Sequence, residues 1–332
     1  MRPRLPIWFR QPLPAGAAAG RVKGLLERQK LHTVCEGAKC PNRGACWRDS
    51  AAAFLILGNA CTRDCRFCAI PHDSHPAPPD PGEPARLAEA AAALSLRHVV
   101  VTSVTRDDLP DGGAAHFAAT IRAIRARVPG ATVEVLVPDF QGDGNALDRV
   151  LAEHPDVFNH NVETVARLHP PVRPQADYRR SLAVLRHASQ AGARTKSGLM
   201  LGLGETDAEI AATLRDLRAA GVALLTLGQY LAPSPAHHPV ARFVPPAEFD
   251  RWRDEALALG FASVASAPHV RSSYHAEELV AAPCPAGRDG ARPSKNPAEW
   301  CDPADGGTTS VSSALVLRKP SLPRPSSTFT AP

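Results

Sequence analysis

Six short apolar or β-branched runs, each followed by a helical pattern, constrain the fold of this chain more than any other feature. They are "AFLIL" (53–57), "HVVVT" (98–102), "TVEVLV" (132–137), "DVFNH" (156–160), "RTKSGLML" (194–201) and "LLTLG" (224–228). Strand and helix alternating in this way require parallel strands with right-handed crossovers, so the fold is α/β, either an open doubly wound sheet or a partial barrel. In both, ligands meet the carboxyl ends of the strands. The segment 206–220 illustrates the helical half: Thr206 and Glu209 are spaced as a capping box, Ile210, Leu214 and Leu217 share one face, and Gly221 follows the last turn.

Unusual residues collect where these strands end. "CTRDCRFC" follows the first, "SVTRDDLPDGG" the second and "PDF" the third; "NHNVET" crosses the end of the fourth, "GLMLGLGET" closes the fifth and "GQYLAPS" the sixth. Any one of these is ordinary loop chemistry, but six in succession imply a shared pocket. Gly202 and Gly204 read equally as a strand-to-helix turn or as a ligand cradle. Asn161 and Glu163 read as functional, because a buried strand end seldom carries an amide and a carboxylate together without a ligand to meet them.

Six of the eight cysteines lie between positions 35 and 68. Cys35, Cys40 and Cys46 are spaced C-x4-C-x5-C, and Cys61, Cys65 and Cys68 are spaced C-x3-C-x2-C. Disulfide frameworks belong to short secreted chains that cannot build a core. This chain has 332 residues, 44% of them hydrophobic, and shows neither a secretory signal nor an apolar run of the ~18–20 residues that span a bilayer. It is expected to be cytoplasmic, with no membrane and no nucleic-acid partner; the net charge of +5 favours acidic partners only mildly. A structural zinc site would pair two C-x2-C knuckles, or one knuckle with histidines. Only Cys65 and Cys68 form such a knuckle.

Triads of thiolates on short loops suit the corners of iron–sulfur cubes, and three per cube leave one iron without protein sulfur. In the second triad such an iron can chelate the amino and carboxylate groups of S-adenosylmethionine, and an injected electron then yields a 5′-deoxyadenosyl radical. With Phe67 before its last cysteine, this triad is the signature of the radical S-adenosylmethionine superfamily.

A narrower resemblance follows from the longer strings. "LHTVCEGAKCPNRGACW", "LGNACTRDCRFC", "VTSVTRDDLPDGGAAHFA", "VEVLVPDFQG", "FNHNVETV", "TKSGLMLGLGET", "LTLGQYLAPS" and "RSSYHA" together resemble the lipoyl synthase family, in its order, from about Trp8 to Ala276. The resemblance implies a partial (β/α)6 TIM-like barrel whose N- and C-terminal extensions cover an auxiliary iron–sulfur cluster. The expected division is an extension over 1–50 with the first triad, the barrel over 51–265, a segment over 266–280 with "RSSYHA", and a tail over 281–332. The tail is rich in proline and serine without periodicity, and is expected to be disordered.

The resemblance also implies residue roles. Cys61, Cys65 and Cys68 would hold the 4Fe-4S cluster that binds S-adenosylmethionine; Cys35, Cys40 and Cys46 would hold a second, auxiliary 4Fe-4S cluster with Ser273 as its fourth ligand. Serine oxygen is harder and more labile than thiolate, which suits a cluster that surrenders sulfide. Taken alone, Ser273 would read as a loop hydroxyl making a local turn bond. Gly198, Met200, Gly202 and Glu205 match the superfamily's pattern near the adenine, and Thr102 and Ser103 sit where it meets the methionine amino group. Asn161, Glu163 and Lys196 are candidates for polar contacts to the same molecule. The implied reaction inserts sulfur at carbons 6 and 8 of a protein-bound octanoyl group, with two S-adenosylmethionine consumed. Implied partners are octanoylated lipoyl carrier domains, of the glycine cleavage H protein or 2-oxoacid dehydrogenase E2 type, a ferredoxin or flavodoxin reductant, and an iron–sulfur carrier protein.

The chain departs from the family at several points. Thr105 stands where an aspartate is common, and Pro235 and Ala236 replace two basic residues before His237, which weakens any docking of a carrier domain through that loop. His237 itself, and Cys284 and Cys301 in the tail, are given no role.

Overall fold

In the computed structural model, which describes residues 5–9, 17–48 and 52–281, eight strands form one sheet in sequential order. Strand β1 (His32–Thr33) is antiparallel to β2 (Ala53–Ile56). From β2 onward all neighbours are parallel: β3 (His98–Ser103), β4 (Thr132–Leu136), β5 (Val157–Asn159), β6 (Thr195–Leu201), β7 (Leu224–Gln229) and β8 (Ser263–Ser266). Crossover helices at 83–93, 114–127, 144–151, 178–190, 207–219 and 246–258 follow β2 to β7 in turn. The six runs are therefore the six βα units of a partial (β/α) barrel. Two strands escape the sequence pattern: β1 is too short, and β8 reads "SVAS", without an apolar run.

Alternation along the strands sorts residues into two faces. Val99, Val101, Val133 and Val135 pack outward against Leu87, Phe117, Ile121 and Ile124 of the helices. Leu199, Leu201, Leu225 and Leu227 do the same against Ile210, Leu214, Leu217 and Trp252. The opposite face carries His98, Thr102, Glu134, Lys196 and Thr226 among Val100, Gly198, Met200, Leu224 and Gly228, so polar side chains are buried in the barrel interior. Helix 207–219 begins as its spacing predicts, with Thr206 Oγ1 accepting from the Glu209 amide at 3.3 Å and Glu209 Oε2 accepting from the Thr206 amide at 2.9 Å. Gly221 ends it at φ +84°, a conformation glycine adopts without Cβ strain.

The C-terminal segment enters the barrel. A Cβ at Gly228 would overlap the Val270 carbonyl, so only glycine lets residues 268–275 cross the inner face of β7. Helix Ala276–Ala281 then closes the amino end of the barrel: Ala276 packs with Ala53 and Val100, and Leu279 with Val157 and Leu224. The N-terminal extension is fastened to the same segment, because Asn42 Nδ2 donates to the His269 carbonyl at 2.6 Å and the His269 ring meets the Trp8 carbonyl at 2.9 Å. The expected tail beyond residue 281, with Cys284 and Cys301, lies outside the described residues.

Candidate metal and cofactor sites

The second cysteine triad occupies the loop after β2. Leu57 and Gly58 turn the chain out of the strand at φ +67° and +94°, and the loop closes on itself where the Cys61 amide donates to the Pro71 carbonyl at 2.9 Å. The Arg63 and Thr105 amides both point at Cys61 Sγ, at 3.4 and 3.3 Å. Burial, reinforced by neighbouring thiols, pushes the Cys65 thiol up and the Cys68 thiol up to about 12. All six described cysteines are free thiols. Thiols crowded and desolvated in this way become stable anions when cations bind them. Among the described residues no three His, Cys, Asp or Glu side chains gather closely enough for a single ion. A cube places each thiolate on its own iron, so its ligands need not converge on one point.

Arg63, inside the triad, is the residue that fixes the loop. Its guanidinium is buried and bonds Asp107 at 2.6 and 2.9 Å and Asp139 at 2.6 Å, tying the cysteines to the loops after β3 and β4. Burial would raise the Asp139 carboxyl, but Arg63 overrides it and holds that group down at about 2. From the far side, His237 Nε2 donates to the Cys68 carbonyl at 3.0 Å while its Nδ1 accepts from Ser234 Oγ at 2.7 Å. The His238 amide donates to the Arg66 carbonyl at 2.8 Å. His237 thus braces the cysteine loop, and the 233–240 loop is a clasp.

Around this loop stand the strand ends expected to contact a small molecule. Asn161 Nδ2 donates to Glu163 Oε1 at 3.1 Å, and burial pushes the Glu163 carboxyl up. Glu163 is held at φ +64°, a costly backbone state for a residue with a Cβ. Asn161 Oδ1 and Ser103 Oγ are buried without a protein partner. Gly198 keeps this space open, since a Cβ there would stand 2.7 Å from Asn161 Oδ1 and 2.8 Å from Thr226 Oγ1. Phe67 and Met200 pack against one apolar cluster with Val165, Leu203 and Tyr230 beside it. Orphaned polar atoms next to an apolar wall fit a molecule with a polar amino-acid end and an aromatic base.

Three expected contacts have partners within the chain. Thr102 Oγ1 donates to the Leu136 carbonyl at 2.8 Å. Glu205 accepts from the Gly202 and Leu203 amides at 2.6 and 2.8 Å, so its carboxylate shapes the glycine turn, where Gly202 has φ +95°. Lys196 departs furthest from expectation: its ammonium, fully buried, meets Glu134 Oε1 and Oε2 at 2.8 and 3.0 Å and the Ser272 carbonyl at 2.7 Å. Those three contacts take its three donors.

The first triad lies at the amino end of the barrel. Thr33 caps the turn Val34–Gly37, which presents Cys35; the Cys40 amide donates to the Cys35 carbonyl at 3.2 Å, and Cys46 sits in the helix Arg43–Arg48. Cys35, Cys46 and Ser273 line one cavity of about 310 Å³ together with Ala53, His98 and Val100. Burial chiefly raises the Cys35 thiol, with Cys40 close enough to add to the effect. Burial lowers the Arg271 guanidinium, opposed by Cys40 of the first triad and by the strand-end Glu163 carboxyl. The fold thus brings Ser273 to the first triad across more than 200 residues of sequence.

Residues 55–217 match the model of the radical SAM superfamily. Among solved structures, HydG, a maturase of the FeFe-hydrogenase, superimposes with a TM-score of 0.50 at 14% identity over 75% of this chain and 68% of its own, a likeness of fold alone. Barrel and family match define a radical S-adenosylmethionine enzyme, a class that uses a 4Fe-4S cluster and S-adenosylmethionine. A lipoyl synthase of Methylococcus capsulatus is 58% identical over 281 residues, 84% of this chain and 87% of that protein. One of Chlorobaculum parvum is 55% identical over 273 residues, 82% of this chain and 94% of that protein. The chain belongs to the lipoyl synthase family. Among the described residues no helix is long and apolar enough to cross a membrane.

Proposed function

We propose that this enzyme inserts two sulfur atoms, at carbons 6 and 8, into an octanoyl group amide-linked to a lysine of a carrier domain, forming the lipoyl cofactor. The carrying observation is two three-thiol sites at opposite ends of one barrel interior, the first sharing its cavity with Ser273. In this reading Cys61, Cys65 and Cys68 hold the cluster that binds S-adenosylmethionine, and Cys35, Cys40, Cys46 and Ser273 hold an auxiliary 4Fe-4S cluster. When bound, the former group supplies a hydrogen-abstracting 5′-deoxyadenosyl radical and the auxiliary one supplies sulfur. Radical chemistry suits the substrate, because no side-chain base deprotonates an unactivated methylene.

The protein's share is position and exclusion of water. Asn161, Glu163 and Ser103 provide the polar rim for S-adenosylmethionine, while Gly198 lets it approach the backbone and Met200 adds an apolar contact. Arg63 and His237 fix the cysteine loop from opposite sides. Helix 276–281 seals the amino end, so that an alkyl chain enters from the carboxyl ends of the strands. A lipoyl carrier domain of the H-protein or E2 type is the substrate; a ferredoxin or flavodoxin supplies electrons, and an iron–sulfur carrier rebuilds the auxiliary site.

The test is anaerobic reconstitution with iron and sulfide counting, then addition of S-adenosylmethionine, dithionite and an octanoyl-lysyl peptide of a lipoyl domain, with products read by mass spectrometry. The expected result is about eight irons per chain, as two 4Fe-4S cubes require, and a peptide carrying two new sulfurs. Four irons, or 5′-deoxyadenosine without a thiolated peptide, would overturn the assignment.

A further inference from the structure

Inside the barrel runs a line of buried polar groups that a cofactor pocket does not need. Glu134 on β4 and Lys196 on β6 have fully buried side chains, and His98 on β3 places Nε2 3.4 Å from Glu134 Oε2. Burial alone would raise the Glu134 carboxyl; the Lys196 charge and His98 together hold it below the ordinary carboxylate value. Asn159 Nδ2 donates to Glu134 Oε1 at 3.0 Å, so the carboxylate is well supplied with donors. A pair this deep is a poor way to add stability, since desolvation offsets most of the attraction. Its geometry has another outcome: the remaining Lys196 proton reaches the Ser272 carbonyl at 2.7 Å.

Asn161 grips the same residue, donating to Ser272 Oγ at 2.6 Å. Ser272 is therefore held by two barrel strand ends, once through its main chain and once through its side chain. The next residue is Ser273, which faces the cavity with Cys35 and Cys46. On the other side of the crossing, Gly228 sets how closely Val270 lies on β7. Between these restraints the segment 270–274 has little freedom to swing its hydroxyl away from the first triad.

We infer that Lys196 is a positioning residue for the auxiliary site: anchored by Glu134, it clamps the Ser272 carbonyl and so fixes the Ser273 hydroxyl opposite Cys35 and Cys46. The inference rests on the proposed ligand role of Ser273. It assigns Lys196 to the sulfur-supplying half of the enzyme and not to S-adenosylmethionine.

The test uses the full chain with Lys196→Met and Glu134→Gln combined, so that no lone charge is buried and the amide oxygen introduced at position 134 still accepts from Asn159. Where that variant does not fold, Lys196→Gln with Glu134→Gln serves, because a glutamine side chain is one atom shorter than lysine and falls short of Ser272. Hydrogen exchange of the cluster-free protein reads the clamp: amides 271–276 are expected to exchange at least tenfold faster, with β4 and β6 unchanged. In reconstituted enzyme, 5′-deoxyadenosine formation is expected within twofold of wild type while sulfur insertion falls at least tenfold. The auxiliary cluster's electron resonance spectrum is expected to change on adding a small thiol, which wild type resists. Unchanged exchange overturns the inference alone. Faster exchange with undiminished sulfur insertion overturns instead the ligand role of Ser273, and loss of 5′-deoxyadenosine returns Lys196 to the S-adenosylmethionine pocket.

Discussion

Arg63→Met removes the cation that joins the cysteine loop to two other strand ends. Asp139, with a fully buried side chain, sits at about 2 instead of an ordinary 3.8, and Arg63 is the chief cause that lowers it. Each pKa unit is worth about 1.4 kcal/mol, so this carboxylate contributes about 2 kcal/mol at neutral pH. Arg180 Nη1, 3.3 Å from Asp139, and the Gln141 amide at 3.1 Å retain part of that pull. Against this, a stranded buried carboxylate costs roughly 3–5 kcal/mol. The expected loss at pH 7 is therefore about 2–4 kcal/mol, read by urea unfolding of the reduced, cluster-free protein. The folded-state value is depressed, so the contribution is complete above pH 4 and is lost as pH falls through about 2. In the variant burial raises the same carboxyl, so the gap between variant and wild type must be widest near pH 7 and narrow as acid protonates the stranded group. Asp139→Asn on top of Arg63→Met should recover part of the loss. A variant unfolding at the wild-type midpoint at pH 7, or a gap that widens on acidification, would refute the reasoning.

Other outcomes follow from single features. Cys35→Ala should halve the iron content, keep S-adenosylmethionine cleavage and abolish sulfur insertion, whereas Cys65→Ala should stop both reactions; iron analysis with 5′-deoxyadenosine and peptide assays separates them. Thr206→Ala breaks the capping box of helix 207–219 and should cost about 1 kcal/mol in urea unfolding, without altering either reaction. Gly228→Ala pushes a methyl into the Val270 carbonyl, so limited proteolysis should cut after residue 270 at a protease concentration that leaves wild type intact.

Most of the barrel was legible because its strands are apolar runs between helical patterns, and β2 to β7 lie where those runs predict. β8 was illegible for a physical reason: three of its four residues are only half-buried, so serine and alanine suffice. The cysteine triads were legible from spacing and the strand-end polar residues from their place after each strand, though Thr102, Glu205 and Lys196 have partners within the chain. Arg63 was not, since an arginine between cysteines reads as solvated until Asp107 and Asp139 are seen 44 and 76 positions away. The partner of Lys196 is written in the strand pattern itself. Period-two alternation places both Lys196 and Glu134 on the inner face of strands two apart, and opposite charges facing one interior should meet each other before any ligand.

The bond between Asn42 and His269 spans 227 positions of the chain. A ribosome extrudes the first triad early, yet the segment that shares its cavity emerges only after every barrel strand has been made. The amino-end chamber is thus finished late in translation, with helix 276–281 as its stopper. Nascent chains carry Cys35, Cys40 and Cys46 in an unfinished chamber, which closes only on a chain already extended past that helix.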